Sequence, residues 1–211
     1  MNLQEVRISV NVIVRLLYRI DGFLLFCYYL YMKTTIKKRT YQAIYRLLDY
    51  ITPLNSDCGK LCGAACCMSQ GEDMVIYLLP GEEKVFTKEE DWLEWNYDRA
   101  EDYDFPDSWH GKVYYVRCKN APVCIREMRP LQCRFFPLAP HFTEDGTLHL
   151  ILSPVELPYS CPLIEEKTEL EPRFIKAVYT VWSHLIRDPL IYDLVEFDSC
   201  DRDEDSLTFI I

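Results

Sequence analysis

Apolar positions recur along this chain at two different periods. Across residues 34–50, Tyr41, Ile44, Tyr45 and Leu48 fall at i, i+3, i+4 and i+7, the spacing of one buried helix face. Lys37, Lys38 and Arg39 stand at its solvated start, and Pro53 bounds it. A wider stripe of Phe174, Ile175, Val178, Val181, Trp182 and Leu185 predicts a helix over 172–187, with Pro172 in its first turn and Asp188-Pro189 as its stop. A further helical pattern follows over 190–197. Short runs of strand formers predict strands at 74–79, closed by Pro80-Gly81, at 112–119, and at 147–152, which follows the turn Glu144-Asp145-Gly146. Thr87 with Glu90 three residues on has the form of a capping box, and predicts a short helix through Trp95. The acidic, aromatic residues 96–109 read as a surface loop. Cys124, Pro130 and Cys133 read as lying on an irregular segment, and Pro154, Pro158 and Pro162 make an extended one that holds Cys161. Residues 198–205 read as a solvated acidic tail; Asp201, Asp203 and Asp205 lack the Gly and Glu that a calcium loop requires. Short strands with segregated helices predict an α+β fold, a single irregular and loop-rich domain with peripheral helices.

Residues 8–32 are largely apolar, but Arg15, Arg19 and Asp21 interrupt them. The uncharged piece, 22–32, is shorter than the roughly 20 residues a bilayer span needs. A basic start and a small-residue cleavage site, the marks of a signal peptide, are missing. Residues 1–31 therefore stand apart as an N-terminal hydrophobic extension. They read as an over-extended start before Met32, as a packed helix, or as a membrane anchor. Residues 32–211 read as one domain, with a core at 58–161 and a helical part at 168–198. The net charge of −10 in 211 residues repels phosphate backbones and argues against nucleic acid.

The cysteines change the picture most. Of ten, eight form the candidate set: Cys58, Cys62, Cys66, Cys67, Cys118, Cys124, Cys133 and Cys161. Cys27 and Cys200 are set aside. The eight are clustered and two are adjacent, whereas disulfide frameworks spread their pairs, and a vicinal disulfide is strained. The pattern suits metal-binding thiolates in the reducing cytoplasm. Four thiolates on Zn²⁺ leave a charge of about −2, which needs compensation when buried. Lys112, Arg117, Lys119, Arg126, Arg129 and Arg134 supply it, against the single acid Glu127, inside a chain that is acidic overall. Arg129 and Arg134 flank Cys133 and are the candidate partners of the bound group's charge. Gly59 and Gly63 predict a looped backbone that offers N–H groups to sulfur. Of the histidines, His141, eight residues after Cys133, is the candidate nearest the site. Neither the ferredoxin run nor paired C-x2-C zinc knuckles are present, so spacing leaves an iron–sulfur cluster and zinc level. A thiol-redox enzyme built on Cys66-Cys67 is the alternative, with Lys60 or Arg134 lowering a thiol pKa. No Ser-His-Asp set, zincin motif or phosphate loop is present, so no catalytic residue is assigned.

Two blocks carry a family resemblance. Cys62-Gly-Ala-Ala-Cys66-Cys67, followed by Cys124 and by Arg129-Pro130-Leu-Gln-Cys133-Arg134-Phe-Phe-Pro137, resembles the CxxCxxCC family of zinc- or iron-chelating proteins. The second block fits closely; the first departs, with spacers of three residues where the family has two. The resemblance spans about residues 58–161 and implies metal chelation, by a 4Fe–4S cluster above zinc. Some members resemble flagellin lysine methylases. No glycine-rich cofactor loop follows a strand in this chain, so that activity does not carry over.

Overall fold

The computed structural model describes residues 33–68, 76–120 and 129–211. The chain runs through α1 (Lys38–Leu48), the one-turn helices α2 (Gly59–Cys62) and α3 (Ala65–Met68), β1 (Ile76–Tyr77), β2 (Leu93–Arg99), β3 (Lys112–Cys118), the short α4 (Leu131–Phe135), β4 (Leu138–Phe142), β5 (Leu148–Leu152), α5 (Pro162–Glu165), α6 (Pro172–Leu185) and α7 (Pro189–Cys200). The 1–31 extension, Cys27, Cys124, Arg126 and the first two residues of the 74–79 strand lie outside the described residues. The fold is α+β. One antiparallel sheet has the order β1-β3-β2, and β4 pairs with β5 as a separate antiparallel hairpin. Among the described residues no helix is long and apolar enough to cross a membrane.

The helical periodicities translate directly into burial. Helix α1 buries Tyr41, Ile44, Tyr45 and Leu48, and α6 buries Phe174, Val178, Val181, Trp182 and Leu185. Helix α6 lies against α1 and against both strands of the β4–β5 hairpin, while α7 lies against β4. The stop at Asp188-Pro189 is also a tie. The buried Asp188 caps α7 through Leu190 N–H (3.2 Å) and accepts from Thr35 N–H (2.6 Å) and both Thr34 and Thr35 hydroxyls. This fixes the segment that leads into α1.

A second buried acid organises the other end. Glu82 opens a 3-10 turn (Glu82–Val85) and is wholly excluded from solvent. Its carboxylate accepts from Tyr45 Oη (2.7 Å) on α1, Leu79 N–H (3.0 Å) after β1 and Leu131 N–H (2.8 Å) at the start of α4. Burial pushes its pKa up, and these donors pull the other way. Gly81 makes the approach possible. Its φ is +89°, and a Cβ there would lie 3.0 Å from Thr34 Cγ2 and 3.4 Å from the Ile36 carbonyl oxygen.

Four sequence expectations give way. The capping pair forms, with Glu90 Oε1 accepting from Thr87 N–H (2.7 Å) and Oγ1 (3.0 Å), but no helix follows. Residues 93–99 are instead β2, since Leu93, Trp95 and Tyr97 find cross-strand partners in Cys118, Val116 and Tyr114. The 96–109 loop is accordingly shorter. It also dips into the core, where Trp109 is buried, donates Nε1–H to the Leu190 carbonyl (2.9 Å) and stacks on Phe105. Cys133, expected on an irregular segment, sits on α4. The acidic tail is not simply solvated. The Ser199 hydroxyl is buried and accepts from Phe142 N–H (2.9 Å), Arg202 donates to the Pro140 carbonyl (2.7 Å), and residues 208–211 pair along β5 through Leu152 N–H to Thr208 O and Ile210 N–H to Leu150 O.

Candidate metal centre

Residues 57–68 fold as two helical turns joined by a left-handed pair. Asp57 Oδ1 accepts from Gly59 N–H (3.2 Å), and α2 ends where Gly63 (φ +62°) and Ala64 (φ +58°) both enter the left-handed region. A non-glycine residue is uncommon in that region, so the turn is set at some local cost. Gly63 and Ala64 direct their N–H groups to the Gly59 carbonyl, the latter at 2.8 Å. These two N–H groups therefore go to the backbone and not, as the glycines suggested, to sulfur. The reversal brings Cys66 and Cys67 back beside Cys58 and Cys62.

Every described cysteine of the candidate set faces one cavity of about 680 Å³: Cys58, Cys62, Cys66, Cys67, Cys118, Cys133 and Cys161. They come from the 57–68 turns, the end of β3, α4 and the residue before α5. The Cys66 and Cys67 sulfurs are 3.9 Å apart. That contact, an S–H···S hydrogen bond, lowers the Cys66 pKa, while burial and the neighbouring Cys133, Cys58 and Cys62 oppose it. Burial raises the Cys161 pKa, and Cys62 and Glu165 add to this. Tyr159 is raised well above the ordinary phenol range, first by burial and then by Cys66, Cys161, Cys133 and Cys67. Its hydroxyl thus shares the field of four of the thiols. Cys200 is exposed at the end of α7, away from this cavity.

The donor chemistry fits a thiophilic group, but the spacing does not enclose a single ion. With Zn–S near 2.3 Å, tetrahedral geometry puts thiolates about 3.8 Å apart, which the Cys66–Cys67 pair meets. Among the described residues no set of three or more Cys, His, Asp or Glu is placed to hold one metal ion.

Four of the six basic residues nominated from sequence, Arg117, Lys119, Arg129 and Arg134, line the cavity. Lys112 instead places its ammonium over the Tyr97 ring, 3.6 Å from the centroid. Arg134 is buried; its Nη1 donates to Asp49 Oδ1 (3.1 Å) and the Tyr45 carbonyl (3.1 Å), and its Nε donates to the Arg129 carbonyl (2.8 Å). The guanidinium also lies over the Tyr45 ring at 4.4 Å. These contacts tie α4 to the C-terminal turn of α1, where a cation is favoured by the helix dipole. His141 is not a cavity residue. It is buried on β4, 3.4 Å from Glu204 through Nε2, and packs edge-on against Phe209.

Sequence reasoning did not single out Tyr159, Trp92, Phe136 or Leu157, all of which line the cavity. Tyr159 precedes Cys161 by two residues, which is the one local signal that could have found it. Comparison of the chain with protein-family models, curated proteins and solved structures gives no match.

Proposed function

We propose that this chain is a cytoplasmic metal-binding protein whose cysteine thiolates hold an iron–sulfur cluster or zinc, in keeping with its resemblance to the CxxCxxCC family. The observation that supports the reading is convergence: cysteines from four separate stretches of chain line one cavity. The family resemblance puts a 4Fe–4S cluster ahead of zinc. Cys58, Cys62, Cys66, Cys67, Cys133 and Cys161, with Cys118 and Cys124, are the ligand candidates. Arg117, Lys119 and Arg129 would balance thiolate charge at the wall, and Trp92 and Phe136 would limit water there. Such a group would supply electron transfer or a structural clamp. Purification without oxygen, followed by iron, sulfide and zinc analysis with visible spectroscopy, tests the reading. A brown protein with matched iron and sulfide supports the cluster, and a colourless one with stoichiometric zinc supports zinc. A metal-free protein after reconstitution with both would overturn the reading.

One observation favours a second reading. Cys66 is exposed, has a lowered pKa and stands 3.9 Å from Cys67, which is the arrangement of a reactive dithiol. Fast alkylation of Cys66 in a metal-loaded sample would support thiol chemistry, since ligated thiolates react slowly.

A further inference from the structure

The thiols account for only part of the cavity that they line. Its volume of about 680 Å³ falls in the range of sites for small organic ligands, and far exceeds the space that four sulfurs enclose around an ion. Much of the remaining wall is built from side chains with no use to a metal, among them Trp92, Val116, Phe136 and Leu157. At the mouth, Leu61, Met68 and Val155 are large apolar side chains left 54%, 46% and 63% exposed. Water wets such a surface poorly, so an apolar body that covers it gains free energy. The polar part of the wall is one-sided. Lys119 is exposed where β3 ends, held there by its own N–H to the Trp92 carbonyl (2.8 Å), and Arg117 precedes it on the same wall. Among the described residues, the one acid on the wall is Asp57, which accepts from Gly59 N–H. In a chain of charge −10, this is a local preference for an anionic head.

We propose that the cavity binds a small organic monoanion with an aromatic or aliphatic body: the body lies against Trp92, Phe136 and Leu157, and the anionic head meets Lys119 at the mouth. The site stands on the cavity and does not require the metal reading. No bond is made or broken; the ligand exchanges for water.

The probe is 8-anilinonaphthalene-1-sulfonate, an aromatic monoanion, titrated by fluorescence into the full chain purified without oxygen. Its uncharged counterpart, N-phenyl-1-naphthylamine, is the control. Saturable binding at one site per chain is expected, at least tenfold tighter for the anion. Lys119→Glu and Val155→Glu, both at exposed positions where folding tolerates a charge, should each weaken anion binding at least tenfold. Binding that does not saturate, that is equal for the uncharged probe, or that survives both substitutions would overturn the proposal. Metal content is assayed on the same samples. In the parent chain, metal without saturable probe binding counts against this site alone, and probe binding without metal after reconstitution counts against the metal reading alone.

Discussion

Replacing Glu82 should damage this protein more than replacing any exposed acid. The carboxylate is wholly buried and satisfies three donors: Leu79 N–H, Leu131 N–H and the Tyr45 hydroxyl. Glu82→Ala strands all three in a space that water does not reach. Each stranded donor costs about 1–3 kcal/mol, offset by the relief of burying an acid, so the net loss is about 4 kcal/mol. That is a large share of the roughly 5–15 kcal/mol that stabilises a domain. Glu82→Gln is milder. Oε1 serves both Tyr45 and Leu131, so the amide oxygen can keep two bonds while its NH₂ faces Leu79 N–H, at a cost of about 2 kcal/mol. Tyr45→Phe removes one donor together with its share of the acceptor and costs about 1 kcal/mol. In urea unfolding at pH 7, with a slope near 2 kcal/mol/M, the midpoints should fall by about 2, 1 and 0.5 M in that order. A Glu82→Ala midpoint within about 0.5 M of the parent, or a Gln variant weaker than the Ala variant, would refute the three-donor account.

The other predictions concern the site and its supports. Arg134→Lys keeps the charge but loses the fork that bonds Asp49 and the Tyr45 and Arg129 carbonyls, so it should cost about 2 kcal/mol in urea while leaving metal content unchanged. Arg134→Glu should lower both, and unchanged metal content in that variant removes Arg134 from charge compensation. Cys66→Ser and Cys67→Ser should each abolish stoichiometric metal, whereas Cys200→Ser should not, as read by metal analysis of anaerobic protein. Burial lowers the His141 pKa; Glu204 opposes this, and Arg202 and His149 add to it. The unfolded chain therefore takes up the proton first, near pH 6.5, and stability falls as pH drops below about 7. Urea midpoints from pH 8 to 5 should show this fall, and His141→Asn should flatten it; equal slopes would dismiss the histidine. Gly81→Ala should cost about 1–3 kcal/mol through its φ of +89° and the Thr34 contact, checked by thermal unfolding.

How far the sequence could be read follows from how local each determinant is. The stripes of α1 and α6 lie within single windows, and their buried faces match the periodicity. Strand β2 overrides a local cue that is real but powerless. Thr87 and Glu90 do bond, yet the pairing of Trp95 and Tyr97 with Val116 and Tyr114 is decided some twenty residues downstream. Strand β4 carries Pro140, which argues against a strand unless the missing N–H faces away from the ladder. The spacing of the cysteines named the set, but not the cavity wall that it shares with Trp92, Phe136 and Leu157.

Helix α4 shows why the best-matched motif is also the hardest to interpret. Within one turn, Leu131 N–H bonds Glu82, Cys133 faces the cavity, Arg134 bonds the end of α1, and Phe135 packs on Trp182 at 4.9 Å. Three of these four residues support the fold by contacts that require no metal. These contacts hold α4 in place whether or not a metal binds. Cys133 is the residue of the turn on which the two explanations part. If Cys133→Ser empties the protein of metal while its urea midpoint after metal removal equals that of the parent, the block serves both scaffold and centre. If metal content is unchanged, Cys133 leaves the ligand set and the motif is scaffold only.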